Sequence, residues 1–575
     1  MKRPQLPYRS VERSMIDTFR GYNHNLRIGD GEAWEMQNMT SDLYPVLSPR
    51  KKRGVYRQVP AIGGIIAKEK LCYTDGSAFV MGDDRYEMGL TDGEKTLVSM
   101  GAFVIILPDR KYINTAQPED RGEIENQTVT AGEATFTMSN VSGEVIEGAT
   151  SSDTVPENPG NGDYWIDTSE ETHSLKRWSA TSSQWVSIAT TYVRIDAQDI
   201  GKGFQEHDGV TISGITIDSL TDLNGTMALW AAEDDYIVVI GFLDRAQSQS
   251  TPITISRRMP EMDFVTESGN RLWGCRYGMN AAGEFVNEIY CSKLGDFRNW
   301  NSFLQLSTDS YIVSLGTDGP FTGAITHMGY PIFFKENCFH KVYGSIPANF
   351  QVQTTACRGV QQGSHKSLAI VNEILYYKAG TAVCAYDGSL PTEISYCLGN
   401  VHYSNAVAGA HGNKYYVSMM DLDGGWHLFV WDTAKKLWHR EDSFHAMAFA
   451  SHNNQLYGVD ENGGIWTMLS GNDEQKLTWV WDTGEIGLNL PDMKYINHLT
   501  IRMSLESGTE VRLFAKYNQS DEWQPLYALR SSELKSFDIP VKPRRCDYMP
   551  LRISGDGPAK VYSITKSIMQ GSARS

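Results

Sequence analysis

Cysteine is scarce in this sequence, and no two cysteines are spaced for a metal or redox motif. None of the eight forms a C-x-x-C pair, which argues against a zinc site and against a thiol redox motif. We therefore expect free, mostly buried thiols in a protein made in a reducing cytoplasm, with no metal and no cofactor. The cysteines are Cys72, Cys275, Cys291, Cys338, Cys357, Cys384, Cys397 and Cys546.

Long apolar runs and an excess of basic charge are also missing. No stretch reaches the ~18 apolar residues of a membrane span. The first residues are charged and have no apolar core, so we expect no signal peptide. The net charge is −17, from 52 Lys and Arg against 69 Asp and Glu. Because Lys and Arg supply most of the affinity for phosphates, this charge argues against general nucleic-acid binding.

Catalytic motifs are absent as well. The sequence contains no G-x-S-x-G, H-E-x-x-H, P-loop or G-x-G-x-x-G pattern. The histidines are scattered, and His439 and His445 share one segment without metal-ligand spacing. The acidic loops at Asp421 and Asp460 offer oxygen ligands for calcium, but they lack EF-hand spacing and are interpreted as turns. The sequence therefore predicts a protein that is not an enzyme.

Glycine and aromatic residues are abundant, and both favour strands joined by tight turns. The chain has 52 Gly against 21 Pro, and 11% of its residues are aromatic. A pattern of strand, small turn and aromatic strand recurs along the chain. Its last four copies are spaced about 40 residues apart, which is the period of a four-stranded propeller blade. We predict an all-β chain with a β-propeller of about six or seven blades.

One hairpin of this pattern carries three tryptophans, Trp426, Trp431 and Trp438, within "GGWHLFVWDTAKKLWHRED". Strand, polar turn and strand follow each other there, which is typical of a β-hairpin. We interpret the tryptophans as packing between blades. A ligand-binding surface is the alternative.

The pattern breaks between residues 118 and 256, where we predict an inserted β-domain with a nested meander at 155–190. Loops tolerate such insertions and often carry function. The meander holds Tyr164, Trp165, Trp178 and Trp185. Flat aromatic faces stack on sugar rings, but a small domain also needs such side chains for its own core. The pattern leaves glycan contact and core packing both open.

The remaining segments complete the predicted organisation. Residues 1–60 are expected to form an N-terminal arm, 61–117 and 257–475 the two parts of the propeller, and 476–575 a β-sandwich of seven or eight strands. The arm contains a basic run in an acidic protein. A solvated turn is the simpler interpretation, and an electrostatic contact with an acidic neighbour in an assembly is the alternative. The run comprises Arg50, Lys51, Lys52 and Arg53.

Several stretches together resemble a known family. They are "FRGYNHNLRIGDGEAWEMQNMTSDLYPVLSPRKKRG" (Phe19–Gly54), "CSKLGDFRNWNSF" followed by a segment that ends in "HKVYGS" (Cys291–Ser345), and "RRCDYMPLRISGDGPAKVYSI" near the end. They resemble propeller-bearing tail proteins of tailed bacteriophages, most closely the nozzle or hub class that includes tail tubular protein B and stabilisation proteins. The nested meander is similar to small modules of phage tail and fibre proteins.

This resemblance implies a structural virion component that is made in the host cytoplasm and incorporated into the phage tail. It implies a homohexameric ring that contacts portal, adaptor or tail-tube proteins and anchors fibres or spikes. Genomic DNA would pass through the ring without specific binding, and an acidic lumen would repel it. The alternative is a glycan-binding or glycan-hydrolysing propeller, either a host-surface adhesin or a sialidase-like enzyme. A hydrolase would need two carboxylates across one pocket.

Overall fold

Strands make up nearly all the regular structure of the computed structural model, which describes residues 11–486, 493–518, 520–530 and 533–570. The helices in these ranges are short 3-10 turns, at Asp218–Leu223, Pro347–Asn349, His365–Ser367 and Tyr396–Leu398. None of them is long and apolar enough to cross a membrane. The predicted all-β class is confirmed.

The N-terminal segment contributes six strands, four of which belong to sheets formed mainly by other parts of the chain. They are β1 (Val11–Ile16), β2 (Gly21–Tyr22), β3 (Glu32–Gln37), β4 (Met39–Thr40), β5 (Ser48–Pro49) and β6 (Gly54–Gln58). The sequence predicted that residues 1–60 form an arm that leads into the propeller. Three of these strands, β1, β3 and β6, pair with partners more than 400 residues away, a relation that local periodicity does not contain.

Two four-stranded antiparallel sheets follow, each with its strands in chain order. Their strands are β7 (Ile62–Ala67), β8 (Leu71–Asp75), β9 (Ala78–Met81), β10 (Asp84–Glu87), β11 (Thr96–Met100), β12 (Phe103–Leu107), β13 (Lys111–Asn114) and β14 (Arg121–Glu123). The second sheet ends beyond residue 117, where the sequence placed the start of the insertion.

The segment between β14 and the next sheet of this kind forms three further sheets. Its strands are β15 (Asn126–Val129), β16 (Ala134–Ser139), β17 (Thr150–Ser152), β18 (Tyr164–Asp167), β19 (Ser174–Ser179), β20 (Gln184–Ser187), β21 (Tyr192–Asp196), β22 (Gly209–Ser213), β23 (Gly225–Ala228), β24 (Ala231–Glu233), β25 (Tyr236–Ile240), β26 (Gln247–Gln249) and β27 (Thr254–Arg257). The meander β18–β20 gains a fourth strand, because β17 pairs parallel to β18.

Five more four-stranded sheets occupy the next stretch of chain. Their strands are β28 (Phe264–Glu267), β29 (Leu272–Met279), β30 (Phe285–Cys291), β31 (Tyr311–Ser314), β32 (Gly323–His327), β33 (Tyr330–Lys335), β34 (Cys338–Tyr343), β35 (Gln351–Ala356), β36 (Ala369–Val371), β37 (Ile374–Lys378), β38 (Val383–Tyr386), β39 (Thr392–Glu393), β40 (Ser404–His411), β41 (Lys414–Met420), β42 (Trp426–Asp432), β43 (Leu437–Arg440), β44 (Ala446–His452), β45 (Gln455–Asp460) and β46 (Gly464–Thr467). The N-terminal strand β6 supplies the fourth strand of the last sheet by pairing with β46.

The C-terminal strands form two sheets with the N-terminal ones. They are β47 (Thr478–Thr483), β48 (Lys494–Leu505), β49 (Glu510–Ala515), β50 (Gln524–Leu529), β51 (Lys535–Ile539), β52 (Arg545–Cys546), β53 (Leu551–Asp556) and β54 (Ala559–Gln570). The five-stranded sheet includes β1 and the six-stranded sheet includes β2 and β3. Ile501 and Ile564 from the first sheet share one buried core with Trp479 and Leu513 from the second, as two facing sheets of a sandwich do.

The chain divides into two compact units. The first comprises residues 1–95, 334–339 and 355–575. Within it, four-stranded sheets pack face to face through β36 and β40, β40 and β44, and β44 and β7. Their central strands are apolar on both faces, as "YYVSM" in β41 illustrates, because sheets cover them on both sides. Small antiparallel sheets stacked in this way are compatible with a propeller-like fold.

The second unit comprises residues 96–333 and 340–354. Here β11 packs on β28 and β28 packs on β32. The inserted sheets have a core of their own, to which Phe136, Val193, Ile237 and Ile255 contribute. That core lies beside the meander and anchors one of its two faces.

Candidate functional site

The meander β18–β20 brings three of its aromatic side chains onto one face. Trp165 lies opposite Lys176, and Trp178 lies opposite Trp185. Since side chains alternate between the faces of a strand, Trp178 shares the face of Lys176, and Trp165 and Trp185 join them. The ring centroids of Trp165 and Trp178 lie 5.5 Å and 5.4 Å from that of Trp185, both edge to face. We call Trp165, Trp178 and Trp185 the tryptophan face.

The opposite face of the meander packs into the insertion. Ile166 and Leu175 belong to the buried core of the inserted sheets, and Tyr164 packs against that core. Tyr164 therefore does not join the tryptophan face, although the sequence grouped it with the three tryptophans. The reason is the alternation of side chains, which places adjacent residues of a strand on opposite sides.

The three tryptophans differ in exposure. Trp165 is buried, and its indole N–H donates to the Ser152 carbonyl at 3.1 Å. Trp178 and Trp185 are half-buried and keep part of their ring surface accessible. Trp165 thus forms the base of the face, and the other two rings form its accessible part.

A lysine and an aspartate complete the face. The Lys176 ammonium lies 4.7 Å from the Trp165 ring centroid and donates to Asp167 at 2.6 Å. This hydrogen bond, together with donors from Ser169, lowers the pKa of the Asp167 carboxyl to about 2. Asp167 stays ionised at neutral pH, so it accepts hydrogen bonds but is a poor proton donor.

Two of the four residues of the basic run lie neither in a solvated turn nor at a surface available for an assembly contact. Arg50 and Arg53 are buried. Their guanidinium groups lie 2.7–3.6 Å from Glu441, Asp442 and Glu474. Burial disfavours the charge of Arg53, but Asp442 and Glu441 outweigh this effect and raise its pKa. The two arginines bind the arm to the β43–β44 turn and the segment after β46.

The two lysines of the run remain accessible. Lys51 is exposed, and half-buried Lys52 donates to the Gln475 carbonyl at 3.2 Å. Both line a cleft of about 800 Å³ that also contains Lys560. No ion pair involves these three lysines in the described part of the chain. Asp42, which pairs with Lys414, and Glu506 are the carboxylates of the lining, so the cleft keeps an excess of positive charge.

The tryptophan hairpin β42–β43 packs largely as predicted. Trp438 is buried, and its indole N–H donates to the Ile394 carbonyl of the adjacent sheet at 2.7 Å. Trp431 lies opposite it on the neighbouring strand. Trp426 is half-buried and stacks on His445 with 3.7 Å between ring centroids.

The acidic loops are turns that their own side chains stabilise. Asp421 accepts from the Asp423 and Gly425 amides and pairs with His427, and Asp460 accepts from two amides and from Trp466. Across the described ranges, no group of three or more His, Cys, Asp or Glu is placed to hold a metal. The eight cysteines are free; five are buried, whereas Cys338, Cys357 and Cys397 are half-buried.

Comparisons with known proteins give only distant likenesses. No family model and no curated protein matches the chain. An exo-β-1,3-galactanase from Phanerochaete chrysosporium, solved with galactose, is 8% identical with a TM-score of 0.20 over 52% of this chain and 94% of its own. A mutant Trypanosoma rangeli sialidase with trans-sialidase activity is 8% identical with a TM-score of 0.18, over 90% of this chain and 95% of its own.

These comparisons correct one prediction. The sequence predicted a protein that is not an enzyme, yet the solved structures with which it shares a likeness include glycan-hydrolysing enzymes. The exclusion of enzymatic activity was therefore wrong. The TM-scores are too low to assign a reaction to this chain, so no catalytic step is derived from them.

Proposed function

We propose that the chain is a glycan-binding protein of propeller type that contacts sugars through the tryptophan face. The observation that carries this proposal is the pair of half-buried rings, Trp178 and Trp185, held edge to face on the side of the meander opposite the core of the insertion. A sugar presents an apolar C–H face that packs on such rings. As part of the proposal we count seven blades, one for each four-stranded sheet outside the insertion.

The charged groups beside the rings suit binding. An ammonium group has three donors, and Lys176 uses one for Asp167, so donors remain for sugar hydroxyls. Asp167 has a lowered pKa, whereas the acid of a glycosidase needs a raised one. The tryptophan face itself therefore supports recognition of a glycan and not its cleavage.

A glycan array of bacterial O-antigen and capsular oligosaccharides tests the proposal with the full chain. We expect specific hits, and we expect the double variant Trp178→Ala/Trp185→Ala to bind them at least about tenfold more weakly, since each ring contributes about 1 kcal/mol. Trp426→Ala removes a half-buried tryptophan elsewhere and serves as the matched control. Incubating the hits with the protein and analysing released sugars by chromatography reads hydrolysis separately.

Two outcomes would contradict glycan binding by this face. The first is a folded wild-type chain that binds no oligosaccharide on the array. The second is a double variant that binds as tightly as the Trp426→Ala control while its unfolding midpoint is unchanged.

We also propose that the chain is a component of a bacteriophage tail, a homohexameric ring that meets portal, adaptor or tube proteins and carries fibres or spikes. The resemblance of Phe19–Gly54 and Cys291–Ser345 to tail nozzle proteins supports this role. One structural feature is consistent with this role. The cleft of about 800 Å³ lined by Lys51, Lys52 and Lys560 is basic, whereas the chain as a whole has a net charge of −17. A second copy of the same chain would bring acidic surface to that cleft.

The mass of the purified protein and electron microscopy of its particles test the assembly role. We expect rings of fixed copy number, and fewer rings when Lys51→Glu and Lys560→Glu are combined, because the cleft then repels acidic surface. Lys535→Glu with Lys542→Glu is the charge-matched control. Equal assembly of the two double variants would remove the cleft from the interface, and a wild-type chain that stays monomeric and is absent from virions would contradict the tail role.

A further inference from the structure

The six-stranded C-terminal sheet carries a second cleft, far along the sequence from the tryptophan face. Its volume is about 290 Å³, near the lower end of the ~300–1,000 Å³ range of small-molecule sites. It is lined by residues of the arm, of the end of β47 and of the connection between β49 and β50. The lining includes Arg27, Trp34, Glu485, Lys516 and Trp523.

Trp34 provides a fixed aromatic surface in this cleft. It is 44% exposed, which is high for a residue of this size. The His24 ring stacks on it with 4.5 Å between centroids, and His24 Nδ1 donates to the Trp34 carbonyl at 2.8 Å. His24 in turn stacks on buried Tyr22 at 5.8 Å. This column of rings holds the indole in place before a ligand arrives, which lowers the entropic cost of binding.

The charges of the lining are predominantly positive. Arg27 is exposed, and Lys516 lies with its ammonium 4.9 Å from the Trp523 ring centroid. Neither makes an ion pair with a carboxylate in the described ranges. Arg552, whose guanidinium lies 4.4 Å from the Trp523 ring centroid, is neutralised by Asp482 through bonds of 2.7 Å and 2.5 Å.

Glu485 is the one lining carboxylate not already paired with an arginine, and it is exposed. Two free cations against one carboxylate give the cleft a net positive charge, although the chain as a whole is acidic. An anionic group would therefore be attracted to this cleft in preference to most of the surface.

We propose that this cleft binds an acidic sugar unit, with the apolar face of the ring on Trp34 and the carboxylate paired with Arg27 and Lys516. An aromatic surface beside unpaired cations suits a ligand that is a flat-faced ring and an anion at once. A neutral sugar would use the ring alone, and a simple anion would use only the cations. The inference goes beyond glycan contact by the tryptophan face, because it concerns other residues and a charged class of sugar.

Saturation-transfer NMR and calorimetry on the full chain can test it with two matched probes, methyl β-D-glucuronide and methyl β-D-glucoside. They differ only in a carboxylate against a hydroxymethyl group. We expect the glucuronide to bind about tenfold more tightly, as one charge-assisted contact contributes about 1.5–3 kcal/mol. Trp34→Ala should weaken both probes at least tenfold, and Arg27→Gln with Lys516→Gln should remove the preference for the glucuronide.

The controls separate this cleft from the tryptophan face. Tyr56→Ala removes an aromatic ring of similar exposure elsewhere and should leave binding unchanged. Trp178→Ala/Trp185→Ala should also leave glucuronide binding unchanged, so failure on the glycan array and failure here are distinct results. Equal affinity for both probes, wild-type binding by Trp34→Ala, or no glucuronide binding up to tens of millimolar would each overturn the proposal.

Discussion

Two cross-strand pairs of tryptophans in this protein have nearly the same ring spacing and different surroundings. Trp178 and Trp185 face each other across β19 and β20 with 5.4 Å between ring centroids, and Trp431 and Trp438 do so across β42 and β43 with 5.3 Å. Trp438 is buried and donates a hydrogen bond to the Ile394 carbonyl of the neighbouring sheet, and half-buried Trp431 packs against the same core. Trp178 and Trp185 remain half-buried.

The layer that lies over each pair accounts for the difference. The β36–β39 sheet packs beside β40–β43 and supplies a carbonyl for the Trp438 indole, so that ring becomes part of a core. In the meander, the face opposite Trp178 and Trp185 packs on the core of the inserted sheets through Ile166 and Leu175. A cross-strand tryptophan pair therefore stabilises a sheet where a second layer covers it, and is available for a ligand where none does.

The largest effect should come from removing the covered ring. Trp438→Ala should destabilise the chain by about 3–5 kcal/mol, because it leaves a cavity and deprives the Ile394 carbonyl of its donor. Trp178→Ala should cost about 1 kcal/mol, the contribution of one partly exposed aromatic pair. Urea unfolding of the two variants beside wild type measures this contrast. Equal destabilisation would mean that the two pairs have the same structural role.

The next largest difference between the two regions should be in how their stability depends on acid, because His439 lies next to Trp438. Burial, with a smaller effect of Lys414, lowers the pKa of His439 to about 3. The folded pKa lies below the unfolded value of about 6.5, so the unfolded chain takes up the proton first and stability falls as pH drops from about 6.5 toward 3. Near pH 5, protonation of this histidine in the unfolded chain should have lowered the free energy of unfolding by about 2 kcal/mol.

Asp167 in the meander titrates in a lower window. Its pKa falls from 3.8 to about 2, so its contribution to stability is complete above about pH 4 and is lost as pH falls toward 2.

Urea unfolding at about pH 7 and about pH 5 tests the prediction for His439. The free energy of unfolding should be lower at pH 5, and His439→Gln should reduce this loss, whereas His452→Gln, a half-buried control, should not. An identical pH dependence in both variants would rule out His439 as the cause.

The smallest effect is expected at the charged edge of the tryptophan face. Lys176→Met removes the ammonium from Asp167 and from the Trp165 ring. Because the Lys176 side chain is itself partly solvated, these contacts stabilise the fold little. The unfolding midpoint should hardly change, while affinity for an array hit should fall about threefold because hydroxyl partners are lost. The pKa of Asp167 should move back toward its usual value, which NMR titration of the carboxyl can follow. Unchanged affinity would confine sugar contact to the rings.

The sequence predicted the strand pattern well where each sheet is built from consecutive strands. Repeats of about 40 residues correspond to four-stranded meanders, since turn residues and alternating side chains are local properties. It also identified the meander as rich in aromatic residues, and it left core packing and glycan contact both open there. It grouped Tyr164 with the three tryptophans, although Tyr164 packs against the inserted core. Spacing along the chain does not reveal which face of a sheet packs on a core.

The predictions that failed concern residues whose partners are distant along the chain. Arg50 and Arg53 look like a solvated basic run, but Glu441, Asp442 and Glu474 surround them in the folded chain. Lys516 likewise comes from a segment almost 500 residues away from Arg27 and from the aromatic column on which Trp34 rests. No pattern in the sequence joins these groups.

The amino-acid sequence by itself thus determined that the chain forms strands, where the turns fall and which short hairpins are rich in tryptophan, because these depend on backbone preferences and a two-residue alternation. Tertiary structure decided which hairpins are covered, that the first strands complete the last sheets, and whether a basic run is paired or free. Those outcomes depend on contacts between residues hundreds of positions apart, whose geometry is set only when the sheets pack.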